Sequence, residues 1–149
     1  MNVNAPLNRK IKKIRLVNFQ SHADSTIEFG DGLNLIVGSN EQGKTASARA
    51  LAAVLYNKIG NHHVRWHQPH CIAEIEFMDG AIIRRYKGKD LNKVEFKYAD
   101  DTSFTTFKSF GTNYPEEVYA FLGNPPVSAK LGPIAYSDQS EKNFLINIP

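Results

Sequence analysis

The chain lacks the features that would assign it at once to several large classes of protein. It has a single cysteine, Cys71, which excludes an internal disulfide framework and fits a reducing compartment. No apolar run approaches the roughly 18 residues that a membrane-spanning helix needs. Residues 1–8 are polar and contain no apolar signal core. We therefore expect a cytoplasmic protein, associated with the nucleoid if it is bacterial.

A dominant charge is missing as well. The 18 lysines and arginines stand against 15 aspartates and glutamates, and a net charge of +3 does not by itself indicate a nucleic-acid-binding protein. With 42% hydrophobic and 22% charged residues, the composition excludes collagen, coiled coil and wholesale disorder. A length of 149 residues predicts one domain, or one lobe of a larger domain.

Apolar residues recur at two different spacings along the chain. Alternation and short apolar runs predict β-strands over residues 11–19, 25–29, 33–37, 71–78, 81–86, 94–98, 103–107 and 131–136. The i, i+3, i+4, i+7 spacing predicts a helix over residues 44–58. A shorter helix is predicted from Pro115 to Gly123, and Asp31-Gly32 and Asp79-Gly80 predict hairpin turns.

The most specific motif lies between the third predicted strand and the first predicted helix. Residues 38–45 read GSNEQGKT and fit G-x-x-x-x-G-K-[ST] at every fixed position. A chance match in a chain of this length is roughly a 0.5% event at ordinary residue usage. The strand before the motif and the helix after it supply the context that phosphate binding requires.

This motif predicts a site for a nucleoside polyphosphate. Gly38 and Gly43 let the backbone approach the phosphates, and the N–H groups that open the helix face the anion. Lys44 would place its ammonium against the β- and γ-phosphates, and the Thr45 hydroxyl would ligate Mg²⁺. The complete predicted nucleotide-binding set is Gly38, Ser39, Asn40, Glu41, Gln42, Gly43, Lys44, Thr45 and Ala46. ATP is favoured over GTP, because the sequence has no D-x-x-G motif.

Three segments around this motif resemble the start of SMC-type ATPase heads. They read IRLVNFQSH over 14–22, IEF over 27–29 and GLNLIVGSN over 32–40, and GKT follows at 43–45. The chain is most similar to the Rad-fifty/SbcC branch, which repairs DNA double-strand breaks, and next to the RecF branch. The likeness is specific over residues 11–58. It returns at YSDQ over 136–139, which resembles the Q-loop of the family.

The resemblance implies a fold and a set of roles. The fold is an α/β phosphate-loop NTPase, lobe I of an ABC-type ATPase head, with a mixed sheet and an antiparallel β-subdomain, as a single domain over residues 1–149. It carries over Lys44 and Thr45 as ligands of phosphate and Mg²⁺. Gln139 becomes a catalytic residue that contacts Mg²⁺ and the attacking water. The implied partners are the protein's own C-terminal lobe, a second head that ATP clamps to the first, double-stranded DNA and a nuclease of the SbcD type.

Other catalytic elements of this family are missing from the sequence. We find no four-residue apolar run that ends in an acidic pair, no LSGGQ-like signature and no switch histidine after them. In the family these elements lie in a C-terminal lobe, beyond a long coiled coil. We therefore interpret the chain as an N-terminal segment that does not hydrolyse ATP alone.

Several histidines and the cysteine could also carry chemistry. His62, His63, His67 and His70 crowd one stretch, which is either a metal site or a solvated loop; Pro69 and the polar composition favour the loop. Cys71 is expected to be a buried strand residue. The resemblance places His22 near the triphosphate, with an ordinary surface histidine as the alternative.

Basic residues cluster in the predicted hairpin that follows. Arg84, Arg85 and Lys87 could contact the DNA backbone, or they could keep an exposed strand face soluble. Two other functions remain open for the whole chain. One is a stand-alone nucleotide kinase or NTPase, which the hairpins after the helix disfavour, and the other is a nucleotide-gated binding module without hydrolysis.

Overall fold

Six strands and two α-helices form the part of the chain that the structure describes. The computed structural model describes residues 9–39 and 43–123. The strands form one sheet in the order β2-β1-β3-β4-β5-β6, and every pairing among these strands is antiparallel. The elements are β1 (Ile11–Phe19), β2 (His22–Glu28), α1 (Lys44–Tyr56), β3 (His70–Phe77), β4 (Ile82–Gly88), β5 (Asn92–Lys97), β6 (Thr105–Lys108) and α2 (Glu116–Leu122). A short 3-10 helix, Asn61–His63, precedes β3.

The sheet buries one face against the two helices. Side chains alternate along each strand, so that β3 has a regular sequence of half-buried and buried positions. The inner face of the strands and the apolar sides of α1 and α2 share one hydrophobic core. Among its wholly buried members are Ile14, Leu16, Ala53, Val54, Ile75, Ile83, Val94, Val118 and Phe121. This packing holds α1 across the inner face, with its first residue at one end of the sheet.

The outer face of the sheet carries paired charges. Lys13 Nζ lies 2.8 Å from a carboxylate oxygen of Glu76, and Arg15 Nη2 lies 2.8 Å from Asp24. Hydrogen bonds from Lys12 and Lys13 lower the pKa of Glu76 below its ordinary value. Such pairs on a solvated face contribute little to stability, because water and salt screen them. They leave the face close to neutral, not strongly basic.

Most predicted elements are confirmed, with small shifts at their ends. The predicted bounds of β1 are those observed, and the Asp79-Gly80 turn joins β3 to β4, with Gly80 at a φ of 85°. The first helix ends earlier than predicted, because Asn57 takes a left-handed conformation with a φ of 55° and caps it. Gly123 closes α2 as predicted. The predicted strand over 131–136 lies outside the described residues.

The strand predicted over residues 33–37 is wrong for this structure, and so is the hairpin predicted at Asp31-Gly32, because within the described residues β2 has no partner strand after that turn. Leu33, Leu35 and Val37 are 98%, 82% and 77% exposed, and no described strand pairs with this segment. A lone strand has no neighbour to receive its N–H and C=O groups, so an apolar sequence alone does not make one. The described residues therefore form the antiparallel portion of the predicted mixed sheet. None of the described helices is long and apolar enough to cross a membrane.

Candidate nucleotide-binding site

The N-terminus of α1 is open to an anion. Gly43 is the N-cap residue, has a φ of 81° and offers no side chain to the first N–H groups of the helix. The first turn contains no acidic residue. The first N–H groups of the helix, for which the helix itself has no acceptor, and the positive end of the helix dipole therefore lie at this point. This arrangement fits phosphate groups, which supply the missing acceptors and the opposite charge.

The two ends of the phosphate-binding motif lie together. The Lys44 ammonium donates a hydrogen bond to the carbonyl of Gly38, so the lysine folds over the loop towards its first glycine. Ser39 and Thr45 are exposed, and Ala46 lies on the buried side of α1. Three predicted members of the set, Asn40, Glu41 and Gln42, lie outside the described residues.

The turn between β1 and β2 packs against the end of this loop at Gly43. His22 Nε2 lies 3.1 Å from the carbonyl oxygen of Gly43. A Cβ added to Gly43 would lie 2.6 Å from His22 Nε2 and 2.7 Å from Ser21 Oγ. His22 thus contacts the backbone of the phosphate-binding motif. Its position near a triphosphate stays a prediction.

Two arginines join the same region, and sequence analysis did not single out either of them. Arg49 Nη1 lies 3.4 Å from Gln20 Oε1, and Arg65 Nη1 donates to the carbonyl of Ser21 at 3.2 Å. Arg49 follows Lys44 by five residues on α1, so its helical position was the one available signal. Together with Lys44 they make the surroundings of the loop basic.

A magnesium site would be incomplete with the described residues alone. The Thr45 hydroxyl stands exposed in the first turn of α1, a suitable oxygen donor for Mg²⁺. No group of three or more His, Cys, Asp or Glu side chains that could hold a metal occurs within residues 9–39 and 43–123. Gln139, the other predicted metal ligand and the predicted catalytic residue, lies outside those ranges.

The histidine-rich stretch is partly built into the fold. His63 is buried, and its ring packs against Phe19 and His62 at centroid distances of 5.2 Å and 4.0 Å. Its Nδ1 accepts the N–H of Gly60 at 3.0 Å. Burial, and after it the charge of the neighbouring His62, lowers the pKa of His63 to about 4. The ring is therefore neutral near pH 7 and acts as a core residue.

The basic hairpin differs from the DNA-contact prediction at one position. Arg85 is only 2% exposed and lies on the inner face, so it is not available to a DNA backbone. Arg84 is on the outer face, where it donates to Glu74 and lies 3.5 Å from Glu95. Lys87 is half-buried near the end of β4. The correction follows from the two-residue period of a strand, which turns neighbouring arginines to opposite faces.

Cys71 is buried in β3, as predicted. Burial raises the pKa of its thiol to about 11, although Arg85 acts in the opposite direction. The thiol is therefore protonated near pH 7 and is a poor nucleophile.

Comparisons with known proteins agree with this geometry. A family model described as "AAA domain" matches residues 13–131. The chain is 29% identical over 105 residues to the DNA double-strand break repair Rad50 ATPase of Pyrococcus abyssi, which covers 70% of this chain and 11% of that protein. The chain thus spans about a tenth of the length of such curated relatives, at 11% and 9% for two of them.

Two solved structures share the fold. One, from work on ATP-driven dimerisation and DNA-stimulated activation of SMC ATPases, superposes with a TM-score of 0.58 at 17% identity and covers 78% of this chain and 81% of that one. The other, the recombination mediator RecF with ATP, gives a TM-score of 0.53 at 21% identity and covers 68% of this chain and 29% of that one. The resemblance inferred from the sequence is confirmed, and the fold is that of a phosphate-loop ATPase head.

Proposed function

Because the chain belongs to the AAA domain family whose model spans residues 13–131, we propose that it is the ATP-binding N-terminal lobe of an SMC-like ATPase head. The whole protein would act in the repair of DNA double-strand breaks. One observation carries the proposal: Lys44 reaches the carbonyl of Gly38 across the uncapped N-terminus of α1. This arrangement brings the motif's lysine, its first glycine and the helix N-terminus into one anion-binding corner.

The roles of the residues follow from their chemistry. When ATP enters, the Lys44 ammonium exchanges the Gly38 carbonyl for phosphate oxygens, a stronger charge-assisted partner. The N–H groups at the start of α1 bind the same phosphates, and the Thr45 hydroxyl is a ligand for Mg²⁺. Bound Mg²⁺ would neutralise phosphate charge as it builds up during hydrolysis.

Hydrolysis belongs to the complete protein in this proposal. Gln139 can orient a water molecule, but the reaction also needs an acid that completes the Mg²⁺ shell and a group that positions or activates the nucleophile. The segment over residues 33–37, with its exposed leucines, offers a surface for the protein's own C-terminal lobe. ATP bound between two such heads would clamp them together, and hydrolysis would release them.

DNA and a nuclease complete the proposed partners. Lys87 and Arg84 remain candidate contacts for the phosphate backbone of double-stranded DNA. Arg84 would have to exchange its carboxylate partners Glu74 and Glu95 for phosphate, which weakens its case relative to the lysine. A nuclease of the SbcD type would act on DNA held by the two heads.

The test of the proposed function is the affinity for Mg-ATP of chain 1–149 and its Lys44→Ala variant. We expect Lys44→Ala to weaken binding at least about tenfold, because a charged hydrogen bond to phosphate contributes about 1.5–3 kcal/mol. Thermal unfolding without nucleotide should be unchanged, since Lys44 does not pack in the core. Lys89→Ala, at an exposed lysine after β4, is the matched control. Equal affinities for all three chains would reject the phosphate-loop assignment.

A further inference from the structure

The carbonyl of Gly43 accepts from more donors than a helix start requires. The N–H of Ser47 donates to it at 3.1 Å, and the Ser47 hydroxyl lies 3.2 Å from it. His22 Nε2 approaches the same oxygen to 3.1 Å from the β1–β2 turn. Because a carbonyl oxygen can only accept, Nε2 carries the ring proton in this contact.

We propose that Ser21 and His22 form a latch that positions the phosphate loop for the polyphosphate of a nucleotide. The peptide group between Gly43 and Lys44 is planar and trans, so its C=O and N–H point in opposite directions. When His22 holds the carbonyl oxygen, the N–H of Lys44 is turned towards the open side of the loop. That N–H is one of the first-turn donors for which α1 itself has no acceptor, and no side chain caps it.

The latch is held firmly by its own surroundings. The N–H of Gln20 donates to the backbone carbonyl of His63 at 2.7 Å, and the N–H of Arg65 donates to the backbone carbonyl of Asn18 at 2.8 Å. The Arg65 side chain also holds the carbonyl of Ser21. Asn18 and Gln20 have φ angles of 51° and 48°, a left-handed conformation that is strained for residues other than glycine. Such strain persists only where neighbouring contacts fix the backbone. In this turn the fixed backbone places His22 against the phosphate-binding loop.

Close approach of the turn gives Gly43 a second reason to be glycine. Its φ of 81° already disfavours a side chain. A Cβ would also lie under 3 Å from both His22 Nε2 and Ser21 Oγ. The close approach of Ser21 and His22 therefore requires a glycine at position 43. His22 is a positioning residue, because it acts on the phosphates through the loop backbone.

This inference rests on the proposed nucleotide site and extends it to a residue outside the loop motif. Its test compares His22→Leu, which removes the donor, with His22→Gln, which keeps an N–H donor at the end of the side chain. Mg-ATP and Mg-ADP affinities of chain 1–149 are measured by calorimetry. The free energy of unfolding without nucleotide is measured by urea titration. His67→Leu, at an exposed histidine of the adjoining loop, is the control.

We expect His22→Leu to weaken Mg-ATP and Mg-ADP binding by about five- to tenfold, the effect of one lost hydrogen bond. His22→Gln should stay within about twofold of the unaltered chain, because it retains that bond. Without nucleotide, His22→Leu should unfold at a slightly lower urea concentration than the other variants, because the contact with Gly43 is already present in the free chain. If His22→Leu does not fold, His22→Asn serves in its place, since its shorter side chain withdraws the donor from Gly43.

Two results would overturn the latch. In one, His22→Leu binds Mg-ATP as tightly as the unaltered chain while Lys44→Ala does not; the nucleotide site then stands and the latch fails. In the other, His22→Gln loses as much affinity as His22→Leu, so that the donor has no role. If Lys44→Ala also binds normally, the proposed function itself fails and the latch fails with it.

Discussion

At the scale of single residues, Arg84 and Arg85 show how one step along a strand changes a side chain's role. Arg85 Nε donates to Asn57 Oδ1 at 3.0 Å, and its Nη1 donates to the carbonyl of Lys93 at 3.1 Å. Its guanidinium also lies over the Phe110 ring. Asn57 caps α1, so this buried arginine ties the far end of the phosphate-loop helix to β4 and β5.

We expect Arg85→Ala to lower the free energy of unfolding by about 3 kcal/mol or more, because it leaves several buried acceptors without a donor. Arg84→Ala should lower it by less than about 1 kcal/mol, since that side chain is partly exposed and its partners can be hydrated. Urea unfolding of both variants measures the difference. Equal effects would contradict the assignment of Arg85 to the core.

His63 predicts a pH dependence of stability. The pKa of His63 is about 4 in the folded chain and 6.5 for an ordinary histidine, as in the unfolded chain. Between these pH values the imidazole is therefore protonated in the unfolded chain but not in the folded one. The contribution of His63 is therefore fully present above pH 6.5 and is lost as the pH falls towards 4; it amounts to about 2 kcal/mol once solvent screening is taken into account.

Urea unfolding between pH 4 and 8 measures this effect, with His63→Gln as the variant that should reduce the slope. His67→Gln removes an exposed histidine from the same loop and should leave the slope as it is. A slope unchanged in His63→Gln would show that other groups, such as the carboxylates of the outer face, account for the acid sensitivity.

At the scale of elements, the segment over residues 33–37 is apolar but unpaired. Replacing Leu33 and Leu35 by serine should change the free energy of unfolding of the chain by less than about 0.5 kcal/mol, because both side chains are exposed already. Leu16→Ala, at a wholly buried leucine of β1, should lower it by about 2–5 kcal/mol. If the double serine variant is as unstable as Leu16→Ala, the segment is packed in solution.

The same double variant should bind the C-terminal lobe at least about tenfold more weakly, because burial of each leucine contributes about 1.5–3 kcal/mol. Association of the separately produced lobe with chain 1–149 measures this loss. Undiminished association would remove residues 33–37 from the proposed interface.

Local signals predicted the elements that local chemistry decides. The alternation in β1, the Asp79-Gly80 turn and the Pro115 start of α2 each depend on residues close in sequence, and each was found. The strand over 33–37 failed because its existence depends on a partner that no local pattern specifies. Arg85 lies two residues after Ile83, so the alternation of a strand predicts that both side chains lie on the inner face. The charge of Arg85 instead suggested an exposed position.

The site was predictable to a similar degree. The motif identified Gly38 and Lys44, which the structure brings together. The approach of Ser21 to Gly43 could not be predicted, because it depends on the left-handed turn at Asn18 and Gln20. Asparagine is enriched in that conformation but glutamine is not, so the sequence marks Asn18 only weakly and gives no signal at Gln20.

At the scale of the whole molecule, the proposed function makes the chain one part of a catalytic assembly. Chain 1–149 should bind Mg-ATP without multiple turnover, because Lys44 and Thr45 position the phosphates but do not supply the remaining acid and base. Addition of the native C-terminal lobe should restore steady-state hydrolysis and dimerisation on ATP.

Release of inorganic phosphate, with and without the lobe, measures this. Lys44→Ala is the control for contaminating activity. Robust multiple turnover by chain 1–149, abolished by Lys44→Ala, would instead favour the stand-alone kinase or NTPase.

The strand order also governs how the chain reaches its native state. β3, β4, β5 and β6 each pair with the next strand along the chain, so these contacts close short loops at little entropic cost. The β1–β3 pairing instead closes a long loop that contains the phosphate-binding motif and α1. The meander can therefore form first, and β1 joins it late. Until then the apolar side chains of Ile14 and Leu16 are exposed to solvent. The incompletely folded chain is therefore most prone to misassociation through β1, the strand that precedes the turn in contact with the phosphate-binding loop.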